Sequence, residues 1–313
     1  MVRIGIDLGG TNIVAGVMDS DYKLLAKARC KTNASRPARE IVTDMARMAR
    51  EAVEKAGLAM SDVEHIGVGS PGTCNAANGI VEYANNLGFD HVPIKAWLEE
   101  DLRVPVSIEN DANAAALGEA LAGAARGARS CVCITLGTGV GGGIILDGKV
   151  YSGFNYAGAE LGHMVIMVDG EDCTCGRQGC WEAYASATAL VRQTRRAMEA
   201  HPDSAMWKIA GSLDNVDGRT AFDGMRAGDD AASRVVENYV HYVACGLINV
   251  INIFQPEVLC IGGGICKEGE TLLAPIREYI FQERYSKFCD HQTRLCVAEL
   301  GNDAGVIGAA CLD

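Results

Sequence analysis

Proline is scarce in this chain, at 7 of 313 residues, while glycine is abundant at 37. The glycines cluster beside apolar runs, which points to tight turns and ligand loops and excludes a largely disordered chain. Positive charge is also short. Lys and Arg number 28 against 40 Asp and Glu, for a formal net charge of -12. That deficit argues against DNA or an acidic membrane surface as the main partner. A small anion stays admissible, because backbone amides and a bound metal hold phosphate without net positive charge. No apolar run reaches membrane-spanning length: the most apolar helical stretch, around 243–254, is short and carries Asn249 and Asn252. Low-complexity segments, charge blocks and short-period repeats are missing as well. The opening Met1-Val2-Arg3-Ile4-Gly5-Ile6-Asp7 reads as a strand, not a leader, so a cytoplasmic protein is expected and Asn33-Ala34-Ser35 is a chance glycosylation match.

What is present is a globular composition, 49% hydrophobic and 22% charged, long enough for two lobes with separate cores. Most of the 13 cysteines, among them Cys131, Cys133, Cys245, Cys260 and Cys311, sit alone in apolar runs and read as small buried hydrophobes of a reducing compartment. Cys173, Cys175 and Cys180 form a group apart. One phrase occurs twice: apolar strand, glycine loop, returning apolar strand. It runs over 2–18 around Gly9-Gly10-Thr11, and over 131–146 around a loop at 137–143. Both read as β-hairpins whose loops could face one ligand. Helices are expected over 37–56, from 114 through 125, over 188–199, 233–253 and 305–311; further strands over 65–69, 104–109 and 258–261.

Two familiar motifs fail on context. Gly137-Thr138-Gly139-Val140-Gly141-Gly142 fits GxGxxG, but a strand follows where the dinucleotide fold needs a helix N-terminus. Residues 143–149 fit GxxxxGK, but Val150 stands where a Ser or Thr would hold magnesium. Three glycine elements fit a phosphate site better. They are Asp7-Leu8-Gly9-Gly10-Thr11-Asn12, then Gly137-Thr138-Gly139, then Gly262-Gly263-Gly264 after a strand. Converging backbone N–H groups and a threonine hydroxyl would take phosphate oxygens, Asp7 a magnesium ion, and the last glycines would pass beneath adenine and ribose. An ordinary turn explains any one of these; it does not explain three in this order.

At these residues the chain resembles the actin-like ATPase superfamily of sugar kinases. Glu160-Leu161-Gly162-His163 followed by Cys173-Thr174-Cys175-Gly176-Arg177-Gln178-Gly179-Cys180-Trp181-Glu182 narrows the resemblance to the ROK family, whose signature is CxCGxxGCxE after ExGH. The likeness runs over nearly the whole chain. At Gly69-Ser70-Pro71-Gly72-Thr73 and Asn85-Asn86-Leu87-Gly88 it is with the bacterial glucokinase branch.

The resemblance implies a two-lobed α/β actin-like ATPase (ribonuclease H-like) fold with a zinc knuckle. The small lobe would span 1–115, with 300–313 packing back on it, and the large lobe 116–299 would carry the knuckle and the ATP site. It implies an ATP-dependent kinase of the glucose 6-hydroxyl, with magnesium-ATP as donor and Asp111 of Glu109-Asn110-Asp111-Ala112-Asn113 as base. On spacing alone that Asn-Asp pair could equally be a helix N-cap, and both roles can coexist. The implied sugar contacts are Asn110, Asp111, Glu160, His163 and Glu182, helped by Ser70, Gly72 and Asn86. Three thiolates and an imidazole, Cys173, Cys175, Cys180 and His163, suit a closed structural zinc site. One ring nitrogen of His163 would bind the metal and the other a sugar hydroxyl. The partners implied are a small sugar and ATP, with no nucleic acid or membrane, in a homodimer or homotetramer. Kinases of N-acetylmannosamine or another hexose share the knuckle, sugar-sensing repressors share the family, and polyphosphate is an open alternative donor.

Overall fold

The computed structural model describes all 313 residues. No helix in it is long and apolar enough to cross a membrane. The chain divides into two compact units. Unit 1 holds Met1–Cys133, Gly143–Ala159 and Ala298–Asp313; unit 2 holds Ile134–Gly142 and Glu160–Val297.

In unit 1, β1 (Val2–Leu8), β2 (Asn12–Met18) and β3 (Leu24–Lys31) form an antiparallel meander. Helix α1 (Ala38–Lys55) buries Ile41, Met45, Met48, Ala49 and Ala52, a stripe at helical spacing that joins the core of the sheet. Strand β4 (Val63–Ser70) lies parallel to β1. A small antiparallel sheet of β5 (Thr73–Asn75), β6 (Ile80–Ala84) and β7 (Phe89–Val92) follows, then α2 (Ile94–Leu102). Strand β8 (Val106–Asn110) is parallel to β4 and runs straight into α3 (Asp111–Ala122). The main sheet therefore has the order β3-β2-β1-β4-β8. A boundary at residue 115 falls inside α3, and this helix belongs whole to unit 1.

The second sheet has the order β11-β10-β9-β12-β13. Its first strands are β9 (Cys131–Leu136), β10 (Val140–Leu146) and β11 (Lys149–Val150). The glycine loop expected over 137–143 is shorter than the sequence implied, because β10 starts at Val140. Gly143 is a strand residue, and a Cβ there would lie 2.5 Å from the Ala116 Cβ and 2.6 Å from the Ala112 carbonyl of α3. It is small for packing. Unit 2 continues with α4 (Glu182–Ala185), α5 (Ala187–Ala200), α6 (Met206–Ala210), α7 (Thr220–Arg226) and α8 (Asp230–Phe254). Then come β12 (Val258–Gly262), α9 (Glu270–Glu283) and, parallel to β12, β13 (Arg294–Val297). The spine of this unit is α8, capped by the Asp229 carboxylate on the Ala232 N–H. Fully buried Trp181 packs so tightly on it that a Cβ at Gly246 would lie 2.0 Å from the indole.

The last helix, α10 (Ala304–Ala310), belongs to unit 1. Its seat is a row of three glycines in register across the sheet: Gly16 pairs with Gly5, and Gly5 with Gly67. A Cβ at Gly5 would stand 1.8 Å from the Val306 carbonyl oxygen, and one at Gly67 1.7 Å from that of Ala309. Likewise a Cβ at Gly308 would stand 1.6 Å from the Ala114 carbonyl of α3. Backbone thus meets backbone on two sides. Beside this contact the buried Glu119 carboxylate accepts the N–H groups of Ala124, Glu299 and Leu300, so none of its charge is left uncompensated.

Candidate active site

In unit 1 the candidate residues gather at the carboxyl ends of three neighbouring parallel strands, β1, β4 and β8, where α/β sheets place ligand groups. Asp7 is the penultimate residue of β1, Ser70 the last of β4 and Asn110 the last of β8. The Asn110 side-chain oxygen accepts the N–H groups of Ala112 (2.9 Å) and Asn113 (3.2 Å), which makes it the N-cap of α3. Its amide nitrogen donates to the Gly72 carbonyl at 3.2 Å. Gly72 has φ 91°, and a Cβ there would lie 2.0 Å from the Tyr83 carbonyl, so the turn admits only glycine. Ser70 is fully buried and its hydroxyl donates to the Pro71 carbonyl at 3.2 Å.

Asp111 is the first residue of α3 and accepts the Ala112 N–H at 2.9 Å. Burial pushes its carboxyl above the ordinary range, and the Ala112 N–H draws it partly back. Asp7 is pushed up to about 6, first by burial and then by the charge of Asp111. The turn between β1 and β2 closes with the Gly9 N–H donating to the Asn12 carbonyl at 2.9 Å. Gly10, Thr11 and Asn12 are exposed on it. Asn86 is brought to the same turn, its amide 3.4 Å from where a Gly10 Cβ would be.

In unit 2 the second group assembles around Glu182, the first residue of α4. Its Oε2 accepts the Val140 N–H at 2.9 Å, just past the Gly137-Thr138-Gly139 turn, and its Oε1 accepts the Thr174 hydroxyl at 3.4 Å. Thr188 donates to the Thr138 carbonyl at 2.8 Å and the Ala187 N–H to that of Gly137 at 2.8 Å, so α5 fixes the turn from below. Gly263, with φ 109°, passes so close to the end of β9 that a Cβ would lie 2.1 Å from the Leu136 carbonyl. Gly264 then opens a 3-10 turn.

His163, Cys173, Cys175 and Cys180 present ligand atoms that all lie within 4.8 Å of one another. Cys173 Sγ is 3.6 Å from His163 Nδ1, and Cys175 Sγ is 3.7 Å from Cys180 Sγ. His163 therefore turns Nδ1 toward the sulfurs, while Nε2 lies 4.0 Å from Glu160 Oε2. The Arg177 N–H lowers the Cys175 thiol, and burial raises Cys180 to about 12. Three thiols and an imidazole at this separation fit one tetrahedral, soft divalent ion such as zinc, which would bind them deprotonated.

Several residues given no role on sequence alone shape these groups. Thr32, fully buried, donates its hydroxyl to the Gly9 carbonyl at 2.6 Å and its N–H to Thr11 at 3.0 Å. Buried Glu109 accepts the Asn110 N–H (2.8 Å), the Asn113 amide (3.0 Å) and the Ser152 hydroxyl (2.8 Å), anchoring the corner that presents Asp111. An acid closing an otherwise apolar strand was the one available signal for Glu109. Gly305 of α10 is beside Asp7: a Cβ there would be 3.0 Å from the carboxyl carbon.

A ROK family glucokinase from Streptomyces griseus, crystallised with glucose and AMPPNP, superposes with a TM-score of 0.81 at 36% identity, covering 99% of this chain and 98% of that one. The ROK hexokinase of Thermus thermophilus gives 0.81 at 37% identity, covering 99% and 97%. Fold and cluster thus define an α/β protein of the actin-like ATPase class with a Cys/His metal-type centre. The chain belongs to the ROK family, whose model matches residues 3–313. Among its relatives is the glucokinase of Thermotoga maritima, 36% identical over 310 residues, which covers 99% of this chain and 96% of that protein.

Proposed function

We propose that this protein is a glucokinase that transfers the γ-phosphoryl group of magnesium-ATP to the 6-hydroxyl of glucose. The observation that carries the reading is its full-length likeness, at 36% identity, to a glucokinase held with glucose and AMPPNP. Asp111 suits a base. Its burial raises its affinity for the hydroxyl proton, and the N-terminus of α3 fixes its orientation. Asp7 is the residue of unit 1 that would hold magnesium, which supplies charge neutralisation to the phosphates; no P-loop lysine is present to do so. The turns at Gly9-Gly10-Thr11-Asn12, Gly137-Thr138-Gly139 and Gly262-Gly263-Gly264 are assigned to ATP.

Sugar hydroxyls both donate and accept, so carboxylates and amides together recognise them. Asn110, Asp111 and Asn86 are assigned to sugar in unit 1, with Ser70 and Gly72 shaping the turn that holds the Asn110 amide. Glu160, His163 and Glu182 are assigned in unit 2. His163, Cys173, Cys175 and Cys180 would hold a structural zinc that fixes the His163 tautomer, leaving Nε2 beside Glu160 for a hydroxyl. An axial N-acetyl group would leave those two partners crowded or unpaired, which such sites penalise strongly. ADP release across hexoses and amino sugars tests the reading. The expected result is a kcat/KM for glucose above that for N-acetylmannosamine; the reverse order overturns the sugar assignment, and no ADP release with any sugar overturns the kinase.

A further inference from the structure

A cavity of about 330 Å³ opens in unit 2 between α5 and α8. Arg192 and Arg196 of α5 and Arg234 of α8 line it, together with His201. Glu171 is the single acid in the lining. Three guanidinium groups against one carboxylate invert the local charge of a chain whose net charge is -12. Glu171 engages Arg196 through both oxygens, one at 3.1 Å, and stands 3.7 Å from Arg192. Arg234 pairs with no carboxylate; its Nη2 lies 3.4 Å from His201 Nε2. The Nε of Arg192 is buried without a hydrogen-bond partner. The lining also carries two aromatic rings, Tyr184 and Tyr242, 4.8 Å apart at 47°.

We propose that this cavity binds a small phosphomonoester, its phosphoryl oxygens on Arg192, Arg196 and Arg234 and its carbon portion on the tyrosine rings. Guanidinium forks match tetrahedral oxyanions, the volume falls in the small-ligand range, and aromatic rings have no use for a bare ion. Glu171 is the built-in competitor for two of the three arginines. The cavity is also wired to α4. Arg192 donates to the Ala183 carbonyl, Gln193 Nε2 to that of Tyr184 at 2.9 Å, and the Glu171 N–H to the Tyr184 hydroxyl at 2.6 Å. Glu182 is the first residue of that helix, so an anion that pulls Arg192 and Arg196 off Glu171 acts on the element that orients it.

Anion binding in this cavity is independent of which sugar is phosphorylated, and calorimetry on the full chain tests it with inorganic phosphate and glycerol 3-phosphate as probes. The exposed arginines can be truncated without opening the core. In the Arg196→Ala/Arg234→Ala double variant the dissociation constant for glycerol 3-phosphate is expected to rise by about tenfold or more. Glu171→Gln, which removes the competitor, is expected to tighten binding severalfold. Glycerol 3-phosphate is expected to bind more tightly than inorganic phosphate because only it reaches the tyrosine rings. Wild-type affinity in the double variant places the anion elsewhere and overturns the proposal; so does an absence of saturable binding in the native protein. Weaker binding in Glu171→Gln equally overturns the role given to Glu171.

Discussion

The Glu182 carboxylate oxygen that accepts the Val140 N–H at 2.9 Å also lies 2.3 Å from where a Cβ on Gly139 would stand. The smallest substitution in the glycine turn therefore pushes on a flexible acid and leaves the backbone around it intact. Gly139→Ala is expected to fold normally and to lose roughly ten- to a hundredfold in kcat/KM for glucose, the scale of a misplaced positioning group. Steady-state kinetics with glucose check this. Unchanged kcat/KM would remove Glu182 from the sugar contacts.

Asp111→Asn is expected to keep its fold and its affinity for glucose while kcat falls by about 10²-fold or more. The carboxyl must be ionised to accept a proton, and burial raises it. Wild-type activity is accordingly expected to decline as pH falls through that raised pKa, with the acid limb missing from the residual activity of the variant. A pH–rate profile of both proteins decides, and near-normal turnover in the variant would refute the assignment.

Asp7 at about 6 binds its proton more tightly in the folded protein than in the unfolded chain. Ionised Asp7 consequently opposes folding. The penalty is absent below about pH 4, grows between about pH 4 and 6, and is complete above, where it reaches at most about 3 kcal/mol. Without nucleotide or magnesium, Asp7→Asn is expected to raise the urea midpoint at pH 7.5 and to leave it unchanged near pH 4. The same variant is expected to need more magnesium for activity. A variant less stable than the native protein at pH 7.5 would contradict the burial of this charge.

Native protein purified without chelators is expected to carry stoichiometric zinc by elemental analysis. Cys175→Ser, at an exposed ligand position, is expected to lose most of that metal and several degrees of Tm, because metal binding at such a site is folding energy. Zinc-free native protein of undiminished Tm would show that the four residues are no metal site.

Local signals were strong where chemistry demands a fixed local pattern. The CxCGxxGC knuckle and the ExGH segment carry their own geometry, since Gly176 and Gly179 adopt φ 86° and 78° and close the turn within a few residues. The Asn110-Asp111 pair was legible as both cap and candidate base for the same reason. What stayed hidden depends on partners remote in sequence. Thr32 secures a turn 23 residues before it, and Glu182 meets Val140 across 42. The run at 141–143 misled because glycine serves loops and close packing alike, and only α3 opposite Gly143 tells which. Periodicity placed α1, α3, α5, α8 and α10 to within a few residues, missed α2, α6, α7 and α9, and gave no hint that α5 and α8 would align three arginines on one cavity.

The glycine row Gly16, Gly5 and Gly67 has a consequence for the order in which the protein is made. These strands leave the ribosome early, yet the helix that covers them, Ala304–Ala310, is synthesised after the whole of unit 2. Until then the middle of the sheet shows bare, side-chain-free backbone, and Met18 lacks Ile307 and Ala310, the residues it is buried with. Unit 1 thus keeps an uncovered stretch of sheet until α10 has been made.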